Sequence, residues 1–514
     1  MRRQLWQLLQ LGYALPKQLR HPVTTDAAHA LIRAQLTNRA ARFLAVSRQL
    51  IYDNPVSPYR GLLHWAGCEW PDLCQSVTTH GVEGSLQRLR DAGVYVALEE
   101  FKRLVPICRA GLTLEPAESD FDSPWTTGAA VEGVTSGSRS RPSRVMYSWP
   151  FIAEESAHEL VLYAQHGVSD APVALWYPAP PGVAGVHNLL MDLKRGRAPV
   201  KWFSQVDPAR SAMSFGTRAA LPAMRWGARL AGVTVPAPEF ADLDHVDRVL
   251  DWMHGRCVLR TFASSAVRLA ERARERNRDL TGAVIFTGGE PLTDRRRAVI
   301  ESTGARVHPR YVATEAGLIG AGCVSRSEAD DMHVYTDRIA LLRSHDDLLL
   351  TTLSEHTGKV LFNTNLGDTG ELSTRECPCA FGQLGLTTHL SQVRSQSRLT
   401  VEGMSVMGSD LDAALADAVR RVGGPPDSFQ YRRASPPHQL DGIVIAVSAR
   451  VEIADEGAFV NAVYDGLRAR GPGQRLAADL WQQARVLRLV REEPQMTAGA
   501  KLLTQHSPER STIV

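Results

Sequence analysis

Hydroxyls, glycines and carboxylates gather in four short stretches of this chain, and their order carries more information than any one of them. The segment Thr135-Ser136-Gly137-Ser138-Arg139-Ser140-Arg141-Pro142-Ser143 is a small-residue turn. Such a turn exposes backbone N–H groups, its hydroxyls can bond phosphate oxygens, and its arginines can clamp them. Thr287-Gly288-Gly289-Glu290-Pro291 follows an apolar run that reads as a buried strand. It therefore stands at the carboxyl end of a sheet strand, where ligands bind in α/β folds. Tyr311-Val312-Ala313-Thr314-Glu315 sets a hydroxyl beside a carboxylate, and Leu366-Gly367-Asp368 ends in an acid at a turn. Each alone is ordinary: an exposed loop, a strand-to-helix connection starting its helix at Thr293, a local cap.

Taken in order and at these separations, the four stretches resemble the adenylate-forming superfamily of acyl-CoA synthetases, most closely its phenylacetate–coenzyme A ligase branch. The resemblance implies a single ATP site. Thr135, Ser136, Gly137 and Ser138 would hold the phosphates. Gly288, Gly289, Glu290 and Pro291 would wall the adenine pocket, with the Glu290 side edging the base. Tyr311 would stack on adenine, Thr314 would bond the α-phosphate, Glu315 would hold Mg²⁺, and Asp368 would take the ribose hydroxyls. The chemistry calls for such a set, because a carboxylate attacking the α-phosphorus brings two anions together and a divalent ion must offset their repulsion. The chain departs from the pattern at Arg139 and Ser140, where Thr and Gly are common, and at Ser143 and Arg144, where a Lys often follows the Pro. Val312 stands in place of a Gly, so φ > 0 is not easily reached there.

Two further stretches extend the resemblance. Arg394-Ser395-Gln396-Ser397-Arg398, leading to Gly403-Met404-Ser405-Val406, is similar to the family's hinge and the turn after it, with Arg394 on the usual Arg and Gln396 on the pivot. In the family the small domain rotates here, offering one face for adenylation and another for thioester formation. Pro494-Gln495-Met496-Thr497-Ala498-Gly499-Ala500-Lys501 resembles the terminal motif whose lysine assists acyl-adenylate formation, with one extra residue before Lys501. Cys377-Pro378-Cys379 is similar to a Cys-x-Cys of the branch; with Cys323 and His333 it would give four soft ligands for a structural tetrahedral Zn²⁺. Four independent residues with buried thiols are the competing explanation. For the acyl pocket the candidates are Trp149, Trp176, Tyr177, Phe262, Ala316, Gly317 and Gly320, aromatics that serve equally as core.

Composition bounds the rest. A chain of 514 residues is long for one domain, and 44% hydrophobic with 22% charged residues is an ordinary soluble balance. A net charge of +3 gives no argument for nucleic acid or an anionic membrane. Seven cysteines fit reduced thiols better than a disulfide framework. The N-terminal Leu5, Trp6, Leu8, Leu9 and Leu11 are interrupted by glutamines at helical spacing, and no run reaches the ~18 apolar residues of a membrane span. A cytoplasmic location is expected.

Residues 1–120 read as mainly helical and carry no usable motif. From Trp125 short strands and helices alternate, with strands over 171–176 and 282–287, a helix over 264–277 between them, and loops over 178–186 and 232–239. Segments 348–353 and 360–363 read as a hairpin or adjacent strands, and a helix is expected after Glu315. Beyond about 393 come a helix over 407–422, a strand over 442–451, a helix over 456–470 and a strand over 486–490. The expected fold is α/β: a large N-terminal adenylate-forming domain, with residues 121–393 as its ATP- and acyl-binding core, and a small mobile α/β domain over 394–514 hinged near 394–398. The expected reaction is ATP- and Mg²⁺-dependent activation of an aryl, aryl-acetic or fatty acid to acyl-AMP, then transfer to a thiol, foremost that of coenzyme A. A carrier-protein thiol, an amine, or a degenerate binding protein without turnover are the alternatives, and the oligomeric state is open.

Overall fold

A computed structural model describes residues 14–124, 131–134, 144–180, 182–207, 215–243, 245–345, 347–395, 398–425, 428–434, 442–494 and 505–506. Its main element is a twelve-stranded sheet. One half is parallel, with Pro238–Phe240, Lys201–Ser204, Val173–Trp176, Val258–Phe262, Val284–Gly288 and Arg306–Ala313 side by side in that order. The other half is antiparallel and runs outward from Gly317–Ala321 through Met332–Val334, Thr388–Ser395, Thr364–Thr374 and Asp347–Thr352 to Ile339–Ser344. The central parallel strands are buried at every position. That explains their unbroken apolar runs, since a parallel sheet is covered on both faces.

Local signals set the helices. Ser148 caps Trp149–Gln165 by accepting the Phe151 N–H at 3.3 Å, and Pro150 fits the first turn, where no N–H donor is needed. Thr293 caps Asp294–Glu301 in the same way, at the helix start expected from sequence. Ala263–Glu275 follows Val258–Phe262 without a break and buries its alanines and Leu269. In the first 120 residues the helices Thr25–Thr37, Arg39–Ser47, Pro58–Trp65 and Trp70–Asp91 are joined by a hairpin, Ile107–Arg109 with Leu112–Leu114.

The C-terminal part has its own core. A hairpin of Arg398–Val401 with Met404–Met407 leads into helices Gly408–Arg421, Glu456–Arg468 and Pro472–Gln483. These accompany a four-stranded sheet ordered Leu487–Arg491, Gly442–Val447, Phe429–Ala434, Gln505–His506. Trp481, fully buried, anchors this core and donates its indole N–H to Val401 O at 2.9 Å. A large body followed by a smaller α/β body is thus the architecture, as expected. No helix among the described residues is long and apolar enough to cross a membrane.

Three local expectations are corrected. The segment after Glu315 is the strand Gly317–Ala321, not a helix, because all five residues are buried and four of them pair with Arg306–Ala313. The supposed loops at 178–186 and 232–239 contain the start of helix Val183–Lys194 and of strand Pro238–Phe240. Segment 360–363 is no strand; Asn363 sits at φ 46°, and its buried amide donates to Leu86 O at 2.8 Å and Val94 O at 3.1 Å. The strand beside Asp347–Thr352 begins at Thr364 instead.

Beneath the sheet lies a fully buried ion cluster. Arg260 is 2.8 Å from both Glu159 Oε2 and Asp192 Oδ1, and Arg310 donates to Glu159 Oε1 at 2.9 Å. Arg260 belongs to the same strand that carries Phe262 to the site edge. Removing one partner of such a set leaves uncompensated charge in a dry interior, at a cost of about 3–5 kcal/mol. Arg260→Met is expected to lower unfolding stability by about that amount, read by guanidinium denaturation; a loss below about 1 kcal/mol would show the cluster to be dispensable.

Candidate functional site

The carboxyl ends of Val258–Phe262, Val284–Gly288 and Arg306–Ala313 open on the same edge of the sheet, with Phe262 in register with Gly288. Tyr311 lies there, 8% exposed, and its hydroxyl donates to Asp368 Oδ2 at 2.8 Å. Asp368 arrives from Thr364–Thr374, a strand on the antiparallel side, just after Gly367 at φ 90°. Two residues 57 apart in sequence, both assigned to the nucleoside, are thus neighbours. Val312 does not adopt a positive φ, and the pairing with Gly317–Ala321 shifts register between Tyr311 and Val312.

Thr314 and Glu315 form the turn between two antiparallel strands, and three groups hold it. Tyr147 donates its hydroxyl to Thr314 O at 3.1 Å, its ring stacked on His187 at 4.7 Å. Glu155 Oε1 accepts the Leu318 N–H at 2.6 Å. Gly317, at φ 74°, is required here, since a Cβ would lie 2.3 Å from that same carboxylate oxygen. The third group is Lys102, whose Nζ lies 2.7 Å from Glu315 Oε1 with both side chains buried. Burial works to raise the pKa of Glu155, but His187, Arg338 and the Leu318 N–H outweigh it and hold the carboxyl below its usual range.

The Glu290 carboxylate is bound by groups of the protein itself. It accepts from Ser264 N at 2.7 Å and Ser264 Oγ at 3.1 Å, from the Gly403 N–H, and from Arg296 at 3.5 Å. Gly403 belongs to the hairpin of the C-terminal part, so Glu290 ties the two bodies together. Beside it Arg268 donates twice to Glu402, at 3.0 and 2.8 Å, and once to Ala484 O at 3.4 Å. Gly403 sits at φ 69° so close to Phe262 that an added Cβ would come within 2.1 Å of the ring. Gly288, Gly289 and Pro291 remain at the strand end where the wall of a nucleotide pocket was expected.

Arg394, at the end of Thr388–Ser395, donates to Asp330 at 3.0 Å, and its neighbour Ser395 is in register with Asp368. The expected hinge therefore borders Asp368. Thr135, Ser136, Gly137, Ser138, Gln396 and Lys501 lie outside the described residues. Among the pocket candidates, Trp176 and Gly320 are structural: the indole is fully buried and bonds Ala241 O at 3.0 Å, and a Cβ on Gly320 would lie 2.4 Å from His333 O. Tyr177 and Phe262 meet edge to face at 4.9 Å. The buried Trp149 indole N–H has no partner among the described residues.

Cys323, His333, Cys377 and Cys379 converge, the set that the resemblance implied. All four are buried, and their ligand atoms lie within 4.8 Å of one another. Cys323 Sγ is 3.8 Å from Cys377 Sγ, and Cys379 Sγ is 3.1 Å from His333 Nε2. A tetrahedral centre with ~2.3 Å metal–sulfur bonds separates its sulfurs by about 3.8 Å. His333 Nδ1 bonds Leu386 O at 2.6 Å, which turns Nε2 inward and fixes the tautomer. The Cys379 thiol is pulled far below its ordinary range by hydrogen bonding with Cys323 and His333. The donor set fits zinc.

Two groups could not be read from the sequence. Lys102 ends a four-residue helix, Leu98–Phe101, in a region without motifs, and a lone lysine there looks like a solvated charge. Glu155 and His187 stand 32 residues apart and meet only in the fold, at 2.5 Å.

No family model and no curated protein sequence matches the chain. Solved structures do. That of 2-hydroxyisobutyryl-CoA ligase, in complex with 2-HIB-AMP and CoA in the thioesterification state, is similar with a TM-score of 0.51 and 16% identity, over 91% of this chain and 88% of that one. A variant of an amide bond synthetase from Marinactinospora thermotolerans matches with a TM-score of 0.45 and 16% identity, over 73% of this chain and 68% of that one. The chain has the fold of the adenylate-forming ligases, the architecture its motifs implied.

The Glu290 contact is open to a local measurement. Glu290→Gln removes the charge behind the Gly403 bond, and charge-assisted bonds are about twice as strong as neutral ones. Amide hydrogen exchange at Gly403 is expected to quicken by about tenfold, the equivalent of ~1.4 kcal/mol, with exchange in the sheet unchanged. An unaltered Gly403 rate would mean that the carboxylate does not hold the hairpin.

Proposed function

We propose that the protein activates a carboxylic acid with ATP, forming acyl-AMP and pyrophosphate, and passes the acyl group to a thiol, foremost that of coenzyme A. The observation that carries this reading is the meeting of Tyr311 with Asp368 beside the turn of Thr314 and Glu315, on an adenylate-forming ligase fold. Asp368 is suited to accept from both ribose hydroxyls, and Tyr311, braced by it, to lie against the base. Thr314 would bond the α-phosphate, and Glu315 would hold Mg²⁺, which would lower the repulsion between the incoming carboxylate and the phosphates. The backbone of Gly288 and Gly289 would border adenine, and the turn at 135–138 would hold the β- and γ-phosphates. The acid is expected among aryl, aryl-acetic or fatty acids, and the transfer step has coenzyme A, a carrier-protein thiol and an amine as candidate acceptors.

The test is pyrophosphate release from ATP·Mg²⁺ over a panel of carboxylic acids, followed by addition of each acceptor. Release that depends on one class of acid supports the reading, and none with any acid favours a binding protein without turnover. Lys501 gives the sharper arm. A preorganised cation facing the α-phosphate is worth a hundredfold or more, so Lys501→Ala should slow adenylation by about that factor while pre-made acyl-AMP is still converted at a near-normal rate. Equal loss in both half-reactions would assign Lys501 to the fold, and no loss would assign the role to another cation.

The Cys323, His333, Cys377 and Cys379 cluster is proposed to hold one structural zinc; four protein ligands leave no open position for water. Protein purified without added zinc is expected to carry about one Zn per chain, and Cys377→Ser to lower the melting temperature more than it changes the rate. Metal-free protein of full stability would remove the site.

A further inference from the structure

The tip of the C-terminal hairpin runs against local preference. Arg398–Val401 and Met404–Met407 are joined by two residues, Glu402 at φ 53° and Gly403 at φ 69°. A two-residue turn of this hand favours Asn-Gly or Asp-Gly, because a longer side chain is strained at positive φ. The contacts of the Glu402 carboxyl offset that strain. It reaches into the junction with the large body, where its side chain is 1% exposed. Both bonds from Arg268 fall on the same oxygen, Oε1, at 3.0 and 2.8 Å. Oε2 is buried and has no partner among the described residues.

A second buried acid stands beside it. Glu290, its side chain fully buried, accepts from Ser264 N, from Ser264 Oγ and from the Gly403 N–H. The Ser264 hydroxyl bears on Glu402 as well, yet it has one proton, and that proton goes to Glu290 Oε1 at 3.1 Å. The cations are shared in the same way. Arg268, on helix Ala263–Glu275, serves Glu402, Ala484 O and the field of Glu271 on its own helix. Arg296, on helix Asp294–Glu301, is 3.5 Å from Glu290 and bonds Pro291 O at 2.8 Å. An ionised Glu402 thus leaves one oxygen bare in a dry interior beside a like charge, which is costly. Protonation of Oε2 removes that bare charge and turns the oxygen into a donor next to two acceptors, Ser264 and Glu290.

We propose that the hairpin tip is a proton-dependent latch: Glu402 docks in its protonated form beside the Glu290 carboxylate, and loss of that proton loosens the tip from the sheet edge. Burial raises the Glu402 pKa above its ordinary value; Glu290 adds to this, while Arg268 and Ser264 oppose it. The docked tip therefore binds the proton more tightly than a free one. Docking is strongest below the ordinary carboxylate pKa and weakens as pH rises through the higher docked value. The latch holds whichever acid or acceptor the protein uses.

The experiment follows amide hydrogen exchange at Gly403 in the full-length protein, without substrate. That N–H is bonded by Glu290, so its protection, corrected for the intrinsic rate at each pH, reports docking of the tip. Between about pH 5.5 and about pH 8.5 the wild-type protection is expected to fall by about tenfold, while strand Val284–Gly288 stays protected. Glu402→Gln imitates the protonated carboxyl and should keep the protection high and independent of pH. Glu402→Asn, which the left-handed backbone accepts, should also be independent of pH and stands in for the glutamine variant if that one does not fold. Wild-type protection that is flat or rises with pH would overturn the latch. So would a wild-type pH response that persists in both variants, or a glutamine variant that folds but loses protection at every pH, since the ionised form would then be the one that docks. No step of this measurement involves ATP, so its outcome and that of the adenylation test are read separately.

Discussion

One helix face under constraint sets the frame of this molecule. Trp149–Gln165 turns Glu154, Glu155, His158 and Glu159 into the interior, each of them buried. Ionised groups in such a place are tolerable only when paired and hydrogen-bonded. Every one is. Glu154 takes Gln35 at 3.0 Å, Ser354 at 2.7 Å and Arg338 at 3.4 Å. His158 meets Asp337 at 3.0 Å, Glu155 meets His187 and the Leu318 N–H, and Glu159 meets Arg260 and Arg310. Their partners come from the N-terminal helices, helix Val183–Lys194, the parallel strands and the antiparallel side of the sheet. The whole network is satisfied only when all of these have docked, so the polar core demands one mutual arrangement where an apolar core would accept several. Burial alone would raise the pKa of both Glu155 and Glu159, yet their cations hold them below the ordinary range. Both therefore lend stability above the unfolded carboxylate pKa, and the contribution is lost as pH falls through their lower folded values.

The site inherits its geometry from that constraint. Glu155 grips the amide after Gly317, and Tyr147 packs on the imidazole that Glu155 holds, so the turn of Thr314 and Glu315 is fixed from below by charge and from the side by a hydroxyl. Lys102 supplies Glu315 with a cation from the end of a helix far away in sequence. The N-terminal region, which carries no recognisable motif, is thus part of the electrostatics of the site.

What the sequence made legible follows from range. Strands of continuous apolar residues and capped helices announce themselves within a few residues, which is why Val284–Gly288, Ala263–Glu275 and the helix after Thr293 stand close to where they were expected. The nearness of Tyr311 to Asp368 and the convergence of Cys323, His333, Cys377 and Cys379 were reachable only through the resemblance, which places motifs far apart in the chain in one site; residue type alone leaves each of them ordinary. Gly317–Ala321 was misread as helix because its character comes from pairing with Arg306–Ala313, a contact with no local signature. Lys102, Glu155 and His187 escaped for a related reason: a buried ion pair is written as two ordinary polar residues, and only the fold reveals that neither is solvated.

Glu290 ties the end of a central parallel strand to the C-terminal part. The strand end that carries Gly288 and Gly289 also sends a carboxylate across to the amide of Gly403, against which Phe262 is packed. Any displacement of the C-terminal hairpin must break that bond and the two from Arg268 to Glu402. Bonds to charged groups are worth about 1.5–3 kcal/mol each when formed, and water replaces much of that when they open. A latch of this strength favours one placement of the hairpin. It springs from the strand end that also carries Gly288 and Gly289, so a shift of that strand end bears directly on the bond from Glu290 to Gly403.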